Sequence, residues 1–267
     1  MDYAKTSLEV EHIARAAGTF LLRQWRQLRP DQVREKEANQ LVSYVDEEAE
    51  ALITEHVRQL LPEAAVWGEE SGFHEGAQTG LRWVIDPLDG TTNFVFGLPG
   101  FCVSIALWDN DRPQIGAVCD PVHGTLYTAV RGEGARCDGR PLQLGGTRTM
   151  RHTLLATGFP TTDFSRQEAL MAFLSHAMRH SRGIRRFGSA AMDMAMVAAG
   201  HFGAFVEYGL KPWDVAAGIL LVEEAGGVVT DFSGGRAHCL DGSEILACHP
   251  GLQAEIRPLV SSYFKGA

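Results

Sequence analysis

Trp83-Val84-Ile85-Asp86-Pro87-Leu88-Asp89-Gly90-Thr91-Thr92-Asn93-Phe94 is the stretch that says most about fold and chemistry. A short apolar strand runs into two acids, Asp86 and Asp89, with a proline between them. Proline has no N–H for a sheet ladder and a fixed φ, so pairing is expected to stop at Asp86 and the chain to turn. Both carboxylates can then point into one space at the strand's end. Gly90 permits close backbone approach, and Thr91-Thr92-Asn93 reads as the opening of a short helix whose free N–H groups suit phosphate oxygens. An isolated Asp-Pro-x-Asp-Gly is equally at home in a solvated turn. The strand before it and Gly-Thr-Thr-Asn-Phe after it favour a site.

Upstream, Leu8, Ile13, Ala17, Phe20 and Leu21 recur at helical spacing and predict a helix over residues 6–26. The polar stretch 29–40 reads as a loop. A second helix is expected over about 46–60, with Glu47 and Glu48 in the first turn where the helix dipole favours acids. Between residues 65 and 144 short apolar runs alternate with Gly, Pro, Asp and Asn turns, the pattern of an antiparallel meander. Downstream, strands near 154–157, 204–207, 228–230 and 244–247 alternate with helices near 166–180, 189–199, 213–224 and 251–262, an α/β texture. The change puts a boundary near 145–150. Residues 1–146 are then helices on an antiparallel sheet with most candidate ligands, and 147–267 a smaller α/β unit that completes the site.

The 267 residues are 45% hydrophobic and 21% charged, ordinary for a soluble globular protein. A formal charge of −9 disfavours general nucleic-acid binding. The five cysteines, Cys102, Cys119, Cys137, Cys239 and Cys248, have no zinc-ligand spacing and read as reduced, buried thiols of a cytoplasmic protein. The first residues carry acids where a signal peptide carries bases, and no apolar run is long enough to span a bilayer.

Two further segments matter. In Trp67-Gly68-Glu69-Glu70-Ser71-Gly72, two glutamates taken alone suit a solvated turn. In Leu210-Lys211-Pro212-Trp213-Asp214-Val215-Ala216-Ala217-Gly218, Pro212 stands at a helix start, and Asp214 taken alone suits a first-turn acid. The three segments together, in this order, resemble the inositol monophosphatase family, whose members show Gly-Glu-Glu-Ser, then Trp-x-Ile-Asp-Pro-x-Asp-Gly-Thr-Thr-Asn-Phe, then Trp-Asp-x-Ala-Ala-Gly. Arg185-Arg186-Phe187-Gly188-Ser189-Ala190-Ala191 and Gly209-Leu210-Lys211-Pro212 resemble its bacterial branch. The resemblance runs over nearly the whole chain.

That resemblance implies a mixed α+β and α/β fold, a layered αβαβα sandwich of the sugar-phosphatase type shared with fructose bisphosphatase. It implies Mg²⁺-dependent hydrolysis of a small phosphate monoester, with myo-inositol monophosphate foremost. Glu69, Asp86, Asp89, Asp214 and the Leu88 carbonyl would ligate two or three Mg²⁺ ions, oxygen-only donors suiting a hard cation. Without cations such acids repel one another: at 4 Å each pair costs about 4 kcal/mol at an effective dielectric near 20. Thr91, backed by Asp46, would activate the attacking water. The N–H groups of Gly90 and Thr92 would hold phosphate, with Thr91 and Asp214 also near it. Asp89, Gly188, Ser189, Ala190 and Glu207 would meet the alcohol, although Glu207 at a strand end would by itself read as solvated. The resemblance further implies a cytoplasmic, lithium-sensitive homodimer with a phosphorylated polyol substrate and no membrane contact. One bacterial relative also suggests an association with RNA polymerase.

Rival substrates within the superfamily are histidinol phosphate, fructose 1,6-bisphosphate and 3′-phosphoadenosine phosphate; Asn93-Phe94 favours the inositol branch. Asn39-Gln40 stands where the family has an acid, and Lys36 lies about one residue closer to the next motif than its pattern expects, which bears on a weaker extra metal site. The ten histidines show no metal spacing. His176 and His180 read as a surface pair, and Met192, Met194 and Met196 as core filling. Arg185-Arg186 reads either as a local anion site or as a solvated pair.

Overall fold

A computed structural model describes residues 1–37, 40–77 and 80–266. Helix α1 (Tyr3–Gln24) starts earlier than its apolar spacing suggests because Asp2 caps it, accepting the Lys5 N–H at 3.0 Å. The stretch expected to be a loop instead holds a 3₁₀ turn (Pro30–Gln32) and two antiparallel strands, β1 (Val33–Glu37) and β2 (Gln40–Ser43). The outer strand β1 is largely exposed and needs no apolar face, so its polarity did not betray it. Helix α2 (Tyr44–Leu60) begins in a capping box: Ser43 Oγ accepts the Val45 N–H while the Asp46 carboxylate accepts the Ser43 N–H.

The main sheet has eight strands: β3 (Ala65–Gly68), β4 (Gly72–His74), β5 (Leu81–Asp89), β6 (Cys102–Asp109), β7 (Arg112–Asp120), β8 (Thr125–Val130), β9 (Gly134–Cys137) and β10 (Arg140–Leu142). Their spatial order is β10-β9-β8-β7-β6-β5-β3-β4. From β5 to β10 it is the expected antiparallel meander, but β3 and β5 run parallel, Ala65 to Gly68 against Arg82 to Ile85. The reason is β4, which folds back along the outer edge of β3. The chain is thereby returned to the end where β3 began, and β5 leaves in the same direction on the other side. The short helix α3 (Thr91–Val95) follows β5, as the sequence predicts.

The second sheet has the order β12-β11-β13-β15-β14. Its elements are β11 (Leu155–Thr157), α4 (Gln167–His180), β12 (Ile184–Arg185), α5 (Ala190–Ala198), β13 (Ala204–Tyr208), α6 (Pro212–Glu224), β14 (Val228–Thr230), α7 (Ala237–Leu240), β15 (Glu244–Cys248) and α8 (Gln253–Phe264). Strands β12, β11 and β13 are parallel, and β15 is antiparallel to β13 and β14.

Side chains alternate across β5, and three cores result. Trp83 and Ile85 pack with Val10, Ala14, Ile53 and Val57 of α1 and α2. Val84, on the other face, packs with α5 and α6, which also cover Phe205 and Ala247 of the second sheet. Phe173 and Leu174 of α4 and Ile256 and Val260 of α8 close that sheet's far side over Val206 and Leu246. The layers are αβαβα. Because α5 and α6 lie between two sheets they are apolar nearly all round, which is why Met192 and Met194 are buried. All five cysteines are free, and four are buried. His176 and His180 stack at 4.1 Å on the surface of α4. Among the described residues no helix is long and apolar enough to cross a membrane.

Candidate active site

The parallel pairing of β3 and β5 brings the acids together. Both strands finish at the same end, and the Glu69 N–H donates to the Ile85 carbonyl at 3.2 Å, beside Asp86. An antiparallel partner would have put Glu69 at the far end of the sheet. Strand β5 does not stop at Asp86 as expected. It continues to Asp89 through a bulge, in which the step from Asp86 to Asp89 opposes the shorter step from Ser104 to Cys102. On a regular strand residues three apart face opposite ways; the extra residue resets the alternation, so the prolyl bend re-aims the acids without ending the strand. Asp214 arrives from the first turn of α6, where its Oδ2 accepts the Lys211 N–H at 2.7 Å.

The acids are held by donors both near and distant in the chain. Asp86 Oδ1 accepts the Leu88 N–H at 3.0 Å, and Asp89 Oδ2 accepts both Ser189 Oγ–H and the Ala191 N–H at 2.7 Å. Lys36 Nζ lies 3.8 Å from Glu69 and 2.9 Å from Glu70. Burial, then the Glu69, Asp89 and Asp214 charges, push Asp86 well above the carboxylate range. Burial, then Asp214 and Glu70, do the same to Glu69, with Lys36 opposing. Asp214 is pushed up to about 8 by burial and by Asp89, and Asp89 to about 6 by burial against the donors of Ser189 and Ala191. Among the described residues no three acidic, histidine or cysteine side chains close on one point as ligands do. The set nevertheless fits a hard divalent cation. Its donors are all oxygen, and the largest influences on Asp86 and Asp214 are burial and neighbouring acids. Glu69, Asp86, Asp89, Asp214 and the Leu88 carbonyl are the residues that could hold one.

Beside the acids, Thr91 Oγ1 lies 3.0 Å from both Asp46 Oδ1 and the Leu88 carbonyl, so its single proton can go to either. Asp46 is buried, its other oxygen held at 2.8 Å by the Ser43 N–H and Oγ–H. Gly90 (φ 95°) opens α3, and Gly90, Thr91 and Thr92 face a cleft of about 400 Å³. Across it stand Gly188, Ser189, Ala190 and Glu207, with Arg186 and Phe159 at the lip. The Glu207 carboxylate makes no hydrogen bond among the described residues. Its carboxylate lies so close over Gly158 that a Cβ there would come within 1.9–2.2 Å of it. Burial, followed by the charges of Asp193 and Asp89, raises the Glu207 carboxyl well above its ordinary range, with Arg186 opposing. Arg186 thus faces the cleft across its own lip, its guanidinium over the Phe159 ring at 5.7 Å, whereas Arg185 is exposed in β12.

Every candidate site residue lies in or directly behind this cleft. Asn39 lies outside the described residues; Gln40 donates to Thr161 Oγ1 at 3.3 Å across the mouth. Sequence reasoning missed Glu50, which is 3% exposed and accepts the Glu70 and Ser71 N–H groups at 2.8 Å, fixing the turn that presents Glu69. Gly68 is required there, since a Cβ would meet the Glu50 carboxylate at 2.4–2.5 Å. The available signal was Asp46 and Glu50, one turn apart on the otherwise apolar face of α2. Asn93 was also missed. It donates to the carbonyls of Gly100 and of Phe187, the latter 94 residues away.

Residues 5–264 match the model of the inositol monophosphatase family. The Nus factor SuhB of Pseudomonas aeruginosa is 43% identical over 253 residues, covering 92% of this chain and 93% of that protein. The crystal structure of the extragenic suppressor protein suhB from Bartonella henselae superposes with a TM-score of 0.89 at 36% identity, over 97% of this chain and 98% of that one. Inositol monophosphatase from Anabaena (Nostoc) sp. PCC 7120 superposes with a TM-score of 0.83 at 33% identity, over 98% and 96% of the two chains. A match of this extent, over a chain that carries all three acidic segments in order, identifies the protein as a member of the inositol monophosphatase family.

Proposed function

We propose that this chain hydrolyses a small phosphate monoester, with myo-inositol monophosphate as the leading substrate, in a Mg²⁺-dependent reaction. The observation that carries this reading is the clustering of Glu69, Asp86, Asp89 and Asp214 beside α3, where burial and the charges of neighbouring acids raise Asp86 and Asp214. The four acids and the Leu88 carbonyl would hold Mg²⁺, in two or three ions, which would supply charge neutralisation and Lewis acidity. Thr91 Oγ1, with Asp46 behind it, orients the attacking water and passes on its proton. Gly90 and Thr92 present N–H groups to the phosphate. Ser189 and Ala190 form the wall for the alcohol, and Glu207 accepts its hydroxyl protons. Activity abolished by a chelator and restored by Mg²⁺, with the highest kcat/KM on inositol monophosphate in a panel of phosphate esters, supports the reading. Turnover in metal-free buffer, or a preference for histidinol phosphate, fructose 1,6-bisphosphate or 3′-phosphoadenosine phosphate, overturns the mechanism or the substrate respectively.

The same reading makes the protein a lithium-sensitive cytoplasmic homodimer, in keeping with its unpaired cysteines. A second role, association with RNA polymerase beside retained catalysis, is supported by relatives that bear the name Nus factor. Co-purification with RNA polymerase, unaffected by Asp86→Asn, tests it.

A further inference from the structure

The amide of Asn93 sits where three backbone segments of the cleft meet. Its Nδ2 donates to the Gly100 carbonyl at 2.7 Å and to the Phe187 carbonyl at 2.6 Å, and the residue is only 8% exposed. Both hydrogens of the NH₂ group are used, each on a carbonyl of a different loop. The junction is close-packed. A Cβ on Gly100 or Gly188 would stand 3.2 Å from Nδ2, and one on Gly90 would stand 2.7 Å from the Gly100 carbonyl and 3.2 Å from that of Gly188.

Phe187 leads into Gly188 and then Ser189, which caps α5 and, with the Ala191 N–H, holds Asp89. A closed circuit results: Asp89 at the end of β5, α3 with Asn93, the segment 187–191, and back to Asp89. One side of the circuit carries Gly90, Thr91 and Thr92, and the other carries Ser189 and Ala190, so the two ends of the cleft are joined at two points. Asp89 joins them at the base. Asn93 joins them at the back.

We propose that Asn93 is a positioning residue that sets the separation between the phosphate end and the alcohol end of the cleft by stapling α3 to the segment 187–191. Its assignment to catalysis rests on the phosphomonoesterase reading above; the staple itself does not. No other common side chain of this size offers two hydrogens from one planar nitrogen. Aspartate would put oxygens against two carbonyls, and alanine would leave both carbonyls without this donor.

The test combines hydrogen exchange with kinetics. In Asn93→Ala and Asn93→Asp, amides of 187–192 should exchange at least about tenfold faster, while those of β13 stay at the wild-type rate, as expected for a local opening. The ratio of kcat/KM for a polyol phosphate to that for an aryl phosphate should fall by about 10²-fold, chiefly through KM, since only the polyol spans both ends and misplacement of about 1 Å has that order of effect. Gly100→Ala, whose Cβ would stand 3.2 Å from Asn93 Nδ2 and 3.4 Å from the Phe187 carbonyl and which does not line the cleft, should move the ratio in the same direction and serves if the Asn93 variants fail to fold. Unchanged exchange at 187–192, or equal losses on both esters, overturns the proposal. Wild-type protein inactive on every phosphate ester would remove the phosphomonoesterase reading, while the exchange experiment would still decide the staple.

Discussion

The two walls of the cleft are held in different ways. On the acidic wall nearly every carboxylate is fixed by a nearby donor: Asp86 by the Leu88 N–H, Asp214 by the Lys211 N–H, Asp46 by Ser43, and Glu50 by the Glu70 and Ser71 N–H groups. Most of these partners lie two or three residues away in sequence. On the alcohol wall the Glu207 carboxylate has no hydrogen-bond partner among the described residues and is confined by contact with Gly158. On the proposed reading, like-charged acids that wait for a cation need fixed oxygens, because the cost of gathering them falls on the fold. A wall that receives hydroxyl groups needs a free acceptor, and an oxygen already satisfied by the protein would have nothing to offer. The acidic wall is preorganised and the alcohol wall is left available.

The largest effect that could break this contrast is on the acids. Asp86→Asn, Asp89→Asn or Asp214→Asn should lower kcat by about 10²–10³-fold or more on polyol and aryl phosphates alike, as loss of a fixed electrostatic element does. Isothermal titration with Mg²⁺ should show weaker binding in each. Near-normal turnover in all three variants would remove the acidic wall from the chemistry.

Thr91→Ala comes next. Its kcat should drop by about 10²-fold with KM little changed, the range for a group that handles a proton in the transition state. Asp46→Asn should act similarly, and the double variant should cost less than the two losses combined, since Thr91 Oγ1 and Asp46 Oδ1 are in contact. Additive losses in a double-mutant cycle would mean that they work separately.

Two glycines allow the walls to be disturbed one at a time. A Cβ at Gly68 would strike the Glu50 carboxylate at 2.4–2.5 Å, and one at Gly158 would strike Glu207. Gly68→Ala should destabilise the protein by about 1–3 kcal/mol, because the Glu50 carboxylate cannot leave without freeing two N–H groups. It should also shrink the rise in melting temperature produced by Mg²⁺. Gly158→Ala should barely change stability, but should imitate Glu207→Gln. That substitution should weaken a polyol phosphate by about 1.5–3 kcal/mol in kcat/KM and an aryl phosphate far less. Identical profiles for the two alanine variants would erase the distinction between the walls.

The smallest effect is on stability against pH. In the metal-free protein Asp214 titrates near 8 and Asp89 near 6, both above the ordinary carboxyl value of 3.8. A carboxyl raised on folding keeps its proton where the unfolded chain has lost it. Its contribution is full below the ordinary value and is lost as pH climbs through 6 and 8. A cation needs the deprotonated forms, so Mg²⁺ should raise the melting temperature more at pH 8 than at about pH 5.5. Melts in chelator and in Mg²⁺ at both pH values check this; equal shifts would place the binding acids elsewhere.

The amino-acid sequence by itself determined the spacing and order of the acidic segments, the short helix at Thr91, the buried helices α5 and α6, and the alternation of strand and helix after residue 153. These rest on periodicity, proline and capping chemistry, which act within a few residues. Tertiary structure decided the rest. The parallel run of β3 and β5, which carries Glu69 to Asp86, depended on where β4 folded back, and no local pattern encodes that. The bulge that turns Asp86 and Asp89 to one side shows only against the partner strand β6. Asn93 looked like the third residue of a helix turn, yet its amide closes on a carbonyl 94 residues away. Glu50 looked like one more acid on a charged helix until its burial and its two backbone partners gave it a task. Short-range propensities specify what each segment can be. Which buried donors and acceptors then meet is fixed by packing between segments distant in the chain, where every polar group taken from water must find a partner.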